Sequence, residues 1–448
     1  MKPGTLGLVG CGLAAGLQLL FFLPVVGEGR TLDVALWAGG PPLFRVDGLS
    51  LTFGVAWMVA LAFAAGTIQS KDRRWAWIGL VPAGLLVSAY AREPVLFYAG
   101  WEMAGLGVWL SVSRPKPAKL AAMIHGPGLA LLAAIAVGGA GAFAPPEGGA
   151  IQEWAPVAVV LLAVAAVGRM LTPALYERLT SDASESRSLL LPVLASTGPF
   201  FLAKALVAAR WDAWGVWALT LIGTTLLLGV AIATLRGVPL LLPLGMGAIA
   251  IIGLGLASAS PLAALGAIWL VGLGAFVPLV LALDSNSRYL PWTRAAAVAV
   301  SLPGVWLVVQ GALETHYTVT AIVILPALIL AYDMANRPRG DTPTHKAMLF
   351  AALLVMVALA AYPQVAVEWF ARPAVGAMAG GVGATGNLGS RWGLGLVSIR
   401  PDESLSAALP ATGIAVAAFL AWVALYWLRG LLIAITNRSD KHIPPEAQ

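Results

Sequence analysis

Apolar stretches of about twenty residues recur along almost the whole chain, and this recurrence limits the possible folds more than any other feature. A helix needs about 20 consecutive apolar residues to cross the hydrocarbon core of a bilayer. Of the 448 residues, 59% are hydrophobic and 11% are charged, whereas soluble domains carry about 25% charged residues. The sequence therefore predicts an all-α, polytopic membrane protein.

Apolar runs bounded by glycine, proline and charged residues predict fourteen transmembrane helices. They are expected at residues 5–27, 48–68, 74–91, 94–113, 119–143, 154–178, 187–210, 213–235, 238–258, 260–283, 292–311, 317–336, 345–364 and 407–434. The long, glycine-rich segment 365–406 is too polar to span and is expected on one membrane face. With this count, most lysines and arginines share the side of the N-terminus. That bias predicts a cytoplasmic (inner) membrane protein with both termini in the cytoplasm.

Several other classes of protein and site are disfavoured. The net charge of +6 is not arranged as a basic stripe with interleaved aromatic residues, so nucleic acid is not an expected partner. The single cysteine, Cys11, cannot form a disulfide framework. The four histidines (125, 316, 345 and 442) lack metal-ligand spacing, and no phosphate-binding loop is present. No metal and no cofactor is therefore predicted.

Four ionisable residues fall well inside predicted spans of the first half: Glu102, His125, Arg169 and Lys204. A charge at the bilayer centre costs ~2.5–3.5 kcal/mol even on insertion scales, so each needs a partner or water. An acid and a base on facing helices stabilise each other's charged forms and can exchange partners when a proton arrives. These residues are candidates for a proton pathway. The alternative is a static ion pair that only holds helices together.

Arg169 and His125 suit different roles. A guanidinium stays protonated, so Arg169 can only bias the charge of a neighbour. His125 precedes the sequence Gly-Pro-Gly at 126–128, where the helical hydrogen bonds are weakened. Its imidazole could relay protons, or it could bond a carbonyl that the proline leaves free. The sequence leaves both possibilities open.

Prolines predict interrupted helices at Pro173 and at Pro303–Gly304. Each lies in the fourth helix of a five-helix unit, and an odd number of helices per unit makes the two units inverted. The predicted parts are an N-terminal segment, two units and a C-terminal segment, at 1–73, 74–210, 211–340 and 341–448.

Five short motifs resemble those of the antiporter-like subunits that are shared by respiratory complex I (NADH-quinone oxidoreductase), Mrp cation antiporters and membrane-bound hydrogenases. FRVDGLS at 44–50 resembles the family's "DGLS" segment, and LFYAGWEM at 96–103 resembles its "LFFFWEM" helix. Gly168-Arg169 with Pro173 is similar to "GK…P", with arginine where lysine is usual. Lys204 ahead of Arg210, and SLPG at 301–304, are similar to the remaining two motifs. The motifs cover roughly residues 40–340, in the family's order.

The resemblance implies a fourteen-helix core with two inverted five-helix units, each with a half-channel. It implies functional roles for Glu102, Arg169 and Lys204. The chain departs from the family in the second unit, where the helix at 267–276 carries no charged residue. Glu314 is the acid nearest to the position of the family's terminal lysine or glutamate.

The function implied is a proton-translocating, antiporter-like subunit of a redox-driven or cation/proton antiport complex. Its partners would be other membrane subunits, the lipid bilayer, and protons or Na⁺. The chain itself would be non-catalytic, so any redox chemistry would belong to partner subunits. Two alternatives remain: a structural subunit that has lost pumping, and an independent cation/proton antiporter or partner in inorganic-carbon uptake.

Overall fold

The structure is a computed structural model. It describes residues 3–66, 79–112, 117–138, 154–179, 190–235, 242–283, 290–317, 320, 346–361, 366–378, 389–393 and 396–400. Helices dominate these ranges, in agreement with the predicted all-α membrane class. Eight helical segments are long and apolar enough to span a membrane, within the ranges just given.

The helices of the first half, in chain order, are α1 (Pro3–Gly27), α2 (Gly48–Gly66), α3 (Leu80–Tyr90), α4 (Pro94–Val112), α5 (Pro117–Gly138), α6 (Pro156–Leu179), α7 (Leu190–Ala195) and α8 (Thr197–Ala208). The later ones are α9 (Ala213–Leu235), α10 (Leu242–Leu256), α11 (Pro261–Leu283), α12 (Leu290–Glu314), α13 (Lys346–Ala361) and α14 (Arg372–Ala377). A π-helical turn, Val367–Ala371, runs directly into α14.

Two antiparallel hairpins join this helical framework. Strands β1 (Leu32–Ala35) and β2 (Pro42–Val46) pair between α1 and α2. Strands β3 (Gly389–Gly393) and β4 (Leu396–Arg400) pair near the C-terminal end of the described chain. Leu43 of β2 accepts a hydrogen bond from the Arg92 N–H at 2.9 Å, which ties the first hairpin to the connection between α3 and α4. This end of the bundle is called the hairpin face below.

Hydropathy predicted most of the helices. Twelve of the fourteen expected spans overlap described helices, because apolar length is the property that the bilayer selects. The other two, 317–336 and 407–434, lie outside the described residues apart from Tyr317 and Thr320. The count of fourteen and the inverted units therefore stay predictions. Within the expected loop 365–406, α14 packs against α2 and α11.

Helix interruptions occur in a different place from the predicted ones. Helix α6 continues through Pro173, and α12 continues through Pro303 and Gly304. A proline removes one N–H donor, but the flanking turns keep the helix intact at both places. The predicted span 187–210 is instead divided at Ser196, between α7 and α8.

Sequential helices form the main packing pairs, notably α1 with α2, α3 with α4, and α5 with α6. Glycines allow the closest approach: the Cβ that Gly84 lacks would overlap the α4 backbone at Gly100 and Ala104. Helix α10 is buried along its whole length, and α11 nearly so. By contrast, most of α1 remains exposed, and so do large parts of α5 and α9. Those apolar faces are available to lipid or to other subunits.

Candidate functional site: two polar groups inside the helix bundle

Glu102 and His125 form a close acid–base pair between α4 and α5. His125 Nδ1 contacts Glu102 Oε2, and α5 places Gly128 against the same carboxylate, where only a glycine leaves room for it. The two side chains are partly exposed, at 23% for Glu102 and 31% for His125. Each residue lies about two turns or more from both ends of its helix, so the pair lies near the middle of α4 and α5.

Arg169 on α6 completes this first polar group. It is 0% exposed, and its guanidinium donates to the Ile124 carbonyl at 2.6 Å and to the Trp101 carbonyl at 3.1 Å. The Trp101 ring lies beneath it, with Cζ 4.3 Å from the ring centroid. Ile124 and Trp101 directly precede His125 and Glu102 in the chain. The positive charge is thereby held beside the acid–base pair without a direct bond to it.

Three polar atoms in or beside this group are buried and have no hydrogen-bond partner among the described residues. They are Glu102 Oε1, Arg169 Nε and Trp101 Nε1. Burying a polar atom without a partner costs about 1–3 kcal/mol, and sites of this kind are often functional. Glu102 Oε1 can therefore still accept a proton or a hydrogen bond, and Arg169 Nε and Trp101 Nε1 can still donate one.

Lys204 on α8 belongs to a second polar group at the hairpin face. It is 0% exposed, and Nζ donates to Ser50 Oγ at 3.2 Å and to the Ala91 carbonyl at 3.3 Å. Ser50 Oγ in turn donates to Asp47 Oδ1 at 2.8 Å. The structure brings Glu102, His125 and Arg169 together, and it places Lys204 with this separate set of residues.

Aromatic side chains separate the two groups. Phe97 and Trp101 of α4 pack on Phe201 of α8, with ring centroids 4.7 and 6.4 Å away, and Phe97 and Phe200 are 6.0 Å apart. Phe200 also packs against Trp57 at 4.9 Å. These rings bury a large apolar area between α4, α8 and α2.

The second half of the described chain offers fewer ionisable groups. Residues 242–283 contain none, and they form α10 and α11. Glu314 is the last residue of α12, is exposed, and accepts a hydrogen bond from Ser260 Oγ at 3.1 Å. Trp269 Nε1 donates to the Val300 carbonyl at 2.7 Å, in the turn before Pro303. The proline region of α12 is therefore braced by a tryptophan from α11.

Sequence reasoning did not single out Asp47 or Ser50 as site residues. Asp47 immediately precedes α2, and its Oδ1 also accepts the Ser50 N–H at 2.7 Å, which is the usual geometry of an N-cap. The motif at 44–50 contains both residues, so its spacing predicts a cap. The contact between Ser50 and Lys204 spans 154 positions of sequence, and that separation carries no local signal.

Comparisons with known proteins rest on the fold. No protein-family model and no curated protein sequence matches the chain. A chain of the Mrp complex from Dietzia sp. DQ12-45-1b superimposes with a TM-score of 0.63 at 12% identity, covering 84% of this chain and 91% of that chain. A chain of the membrane-bound sulfane sulfur reductase, an archaeal respiratory membrane complex, gives 0.63 at 14% identity, covering 96% and 80%.

A chain of respiratory complex I from Thermus thermophilus gives a TM-score of 0.58 at 16% identity, covering 85% of this chain and 95% of that chain. Identities this low establish the fold alone. They agree with the resemblance that the five motifs indicate. The chain therefore shares its fold with membrane chains of the Mrp complex, the sulfane sulfur reductase and respiratory complex I.

Proposed function

We propose that the chain is a proton-carrying, antiporter-like subunit of a multi-subunit membrane complex. The observation that carries the proposal is the Glu102–His125 pair near the middle of α4 and α5, with the buried Arg169 beside it. Glutamate and histidine can both gain and lose a proton near neutral pH in a suitable environment. The pair can therefore hold one proton in more than one arrangement.

In the proposed mechanism, a proton that reaches neutral His125 forms an imidazolium paired with the Glu102 carboxylate, and the proton can then pass from Nδ1 to Oε2. Arg169 stays positive throughout, so it favours the ionised form of Glu102 and promotes release of the proton. Lys204 takes and passes a proton within the second polar group. Glu102, Arg169 and Lys204 keep the types of role that the motif resemblance implies.

The partial exposure of the Glu102–His125 pair also favours the presence of a partner subunit. A charge that faces lipid at this depth costs several kcal/mol, whereas water or a neighbouring protein reduces that cost. The exposed apolar faces of α1, α5 and α9 offer area for such neighbours. We therefore infer that other membrane subunits cover part of the bundle, as expected for a subunit of an Mrp-like or complex I-like assembly.

A structural subunit that has lost pumping is the second candidate. The observation in its favour is the absence of ionisable residues from 242–283, the core of the second half. Glu314 is exposed at a helix end, where it is less suited than a buried group to complete a half-channel. A silent Glu314→Gln variant would be consistent with an inert second half, whereas a loss like that of Glu102→Gln would favour a second half-channel.

The test compares proton flux in matched variants. The chain is purified in mild detergent with its bound subunits, reconstituted in vesicles, and driven by an imposed membrane potential. Glu102→Gln and Lys204→Ala should abolish proton flux while the assembly persists. Glu28→Gln is the control, because Glu28 pairs with Arg30 at an exposed helix end. Unchanged flux in Glu102→Gln would favour the structural role.

Mass spectrometry of the same preparation identifies the parent complex. Subunits with iron–sulfur, flavin or nickel–iron centres would indicate a redox-driven complex. Small membrane subunits alone would indicate an Mrp-like antiporter. A solitary chain would support the independent antiporter, and replacing the proton gradient by a Na⁺ gradient would then identify the coupling ion.

A further inference from the structure

We infer that the second polar group is a proton-exchange route between Lys204 and the aqueous side of the hairpin face. This inference rests on the proposed function, because it gives the proton that Lys204 carries a way out of the bundle. The residues concerned are Lys204, Ser50, Asp47, Arg45 and Asp33. They lie on α8, α2 and the β1–β2 hairpin.

Each residue in this series lies within hydrogen-bond or ion-pair distance of the next. Lys204 Nζ donates to Ser50 Oγ at 3.2 Å, and Ser50 Oγ donates to Asp47 Oδ1 at 2.8 Å. Arg45 Nε lies 3.7 Å from Asp47 Oδ2, and Arg45 Nη1 lies 3.9 Å from Asp33 Oδ1. Two acids and two bases therefore alternate from the interior towards the hairpin.

Burial decreases steadily along this series. Lys204 is 0% exposed and Asp47 is 1% exposed. The side chain of Arg45 is 12% exposed, and that of Asp33 is 36% exposed. Helix α8 ends at Ala208, about 6 Å along the axis from Lys204, so the lysine lies close to this end of the bundle. The series leads from a closed interior position to solvent.

Asp47 Oδ2 and Arg45 Nε are both buried, and neither has a hydrogen-bond partner within the described part of the chain. Their separation of 3.7 Å is within ion-pair distance but too long for a direct hydrogen bond. An N-cap needs only one carboxylate oxygen, here Asp47 Oδ1. Capping therefore explains neither the burial of Asp47 Oδ2 nor the hydrogen bond from Lys204 to Ser50. The free oxygen is the atom from which a proton can leave Asp47.

The proton step is balanced. The Lys204 ammonium gives a proton to Ser50 Oγ while the Ser50 hydroxyl hydrogen passes to Asp47 Oδ1. A neutral amine, an intact hydroxyl and a neutral carboxylic acid result. The neutral carboxyl group then turns its proton towards the hairpin face, where water from the aqueous side accepts it as hydronium and the Asp47 carboxylate is restored. Arg45 keeps its proton and acts as a positioning residue that favours the ionised carboxylate.

The decisive variant is Ser50→Ala, which removes the bridging hydroxyl and retains the Asp47–Arg45 pair and the backbone N–H that Asp47 caps. Proton flux in the reconstituted complex should fall at least about tenfold, in line with the loss of a positioned proton-transfer group. Ser50→Thr keeps a hydroxyl and should restore flux. Thr52→Val is the matched control, because Thr52 Oγ1 bonds the carbonyls of Gly48 and Phe370 instead.

A second variant guards against a purely structural effect. Asp47→Asn should lower flux as strongly as Ser50→Ala while gel filtration shows an unchanged complex; if Asp47→Asn fails to assemble, Ser50→Ala alone decides. Normal flux in Ser50→Ala, together with lost flux in Glu102→Gln, would overturn this route and leave the proposed function intact. Normal flux in both Ser50→Ala and Glu102→Gln would overturn both.

Discussion

Gly128 leaves the room that the Glu102 carboxylate occupies beside His125. A Cβ at position 128 would overlap Glu102 Oε1, whereas it would lie 3.5 Å from Tyr98 Cε2, an ordinary contact. Gly128→Ala should therefore displace the carboxylate and leave the packing of α4 on α5 intact. Gly126 on the same helix has open space around its missing Cβ, so Gly126→Ala is the matched control.

The magnitude follows from the contacts. Both substitutions should favour the helix by about 1 kcal/mol, because alanine is a better helix former than glycine. Gly128→Ala should also lose the hydrogen bond between Glu102 and His125, worth about 1.5–3 kcal/mol for charged groups. That loss corresponds to roughly a tenfold to hundredfold change in the proton-binding equilibrium constant of the Glu102–His125 pair.

The assay is proton flux in vesicles under an imposed potential, with thermal unfolding of both variants measured in detergent. We expect flux to fall by about tenfold or more in Gly128→Ala and to stay normal in Gly126→Ala. Thermal stability should rise in Gly126→Ala and fall in Gly128→Ala. Equal and normal flux in the two variants would refute the argument that the Glu102–His125 contact carries protons.

Three further changes test other contacts. Arg169→Gln should lower flux by at least about tenfold, because it removes the buried positive charge while an amide can still donate; normal flux would exclude an electrostatic role. Gly84→Ala should destabilise the detergent-purified protein by about 1–3 kcal/mol through overpacking, whereas Gly79→Ala, which has open space, should not; equal stability would contradict the close α3–α4 packing. Trp57→Phe should cost about 1 kcal/mol of unfolding free energy, because it loses the bond from Trp57 Nε1 to Ser196 Oγ at 2.8 Å; an unchanged unfolding midpoint would contradict this.

The helices could be predicted because the bilayer imposes a length on every apolar segment. Interruptions were harder to locate. Proline has a local signature, yet α6 and α12 continue through Pro173 and Pro303. The break at Ser196 is followed by Gly198 and Pro199, which lie in the first turn of α8, where proline is tolerated. There, the Ser196 hydroxyl donates to the Val193 carbonyl at 2.6 Å and accepts from Trp57 of another helix, so tertiary contacts stabilise it.

The ionisable residues of the candidate site could likewise be identified one by one, because a charge within an apolar span is conspicuous. The way these residues group in space could not be predicted. Whether Lys204 faces Glu102 or Asp47 depends on how α8 packs against α2 and α4, and hydropathy does not encode that rotation. The sequence motif suggested that Lys204 acts with Glu102, while the structure gives the lysine its own partners at the hairpin face.

The central claim is that Glu102 changes its protonation state as protons pass. Infrared difference spectroscopy of the reconstituted complex, recorded when a pH gradient is imposed, measures this directly through the stretching band of a protonated carboxyl group. We expect a band that appears with the gradient in the unmodified protein and is missing in Glu102→Gln. Proton flux that continues with no Glu102-dependent band would contradict the account.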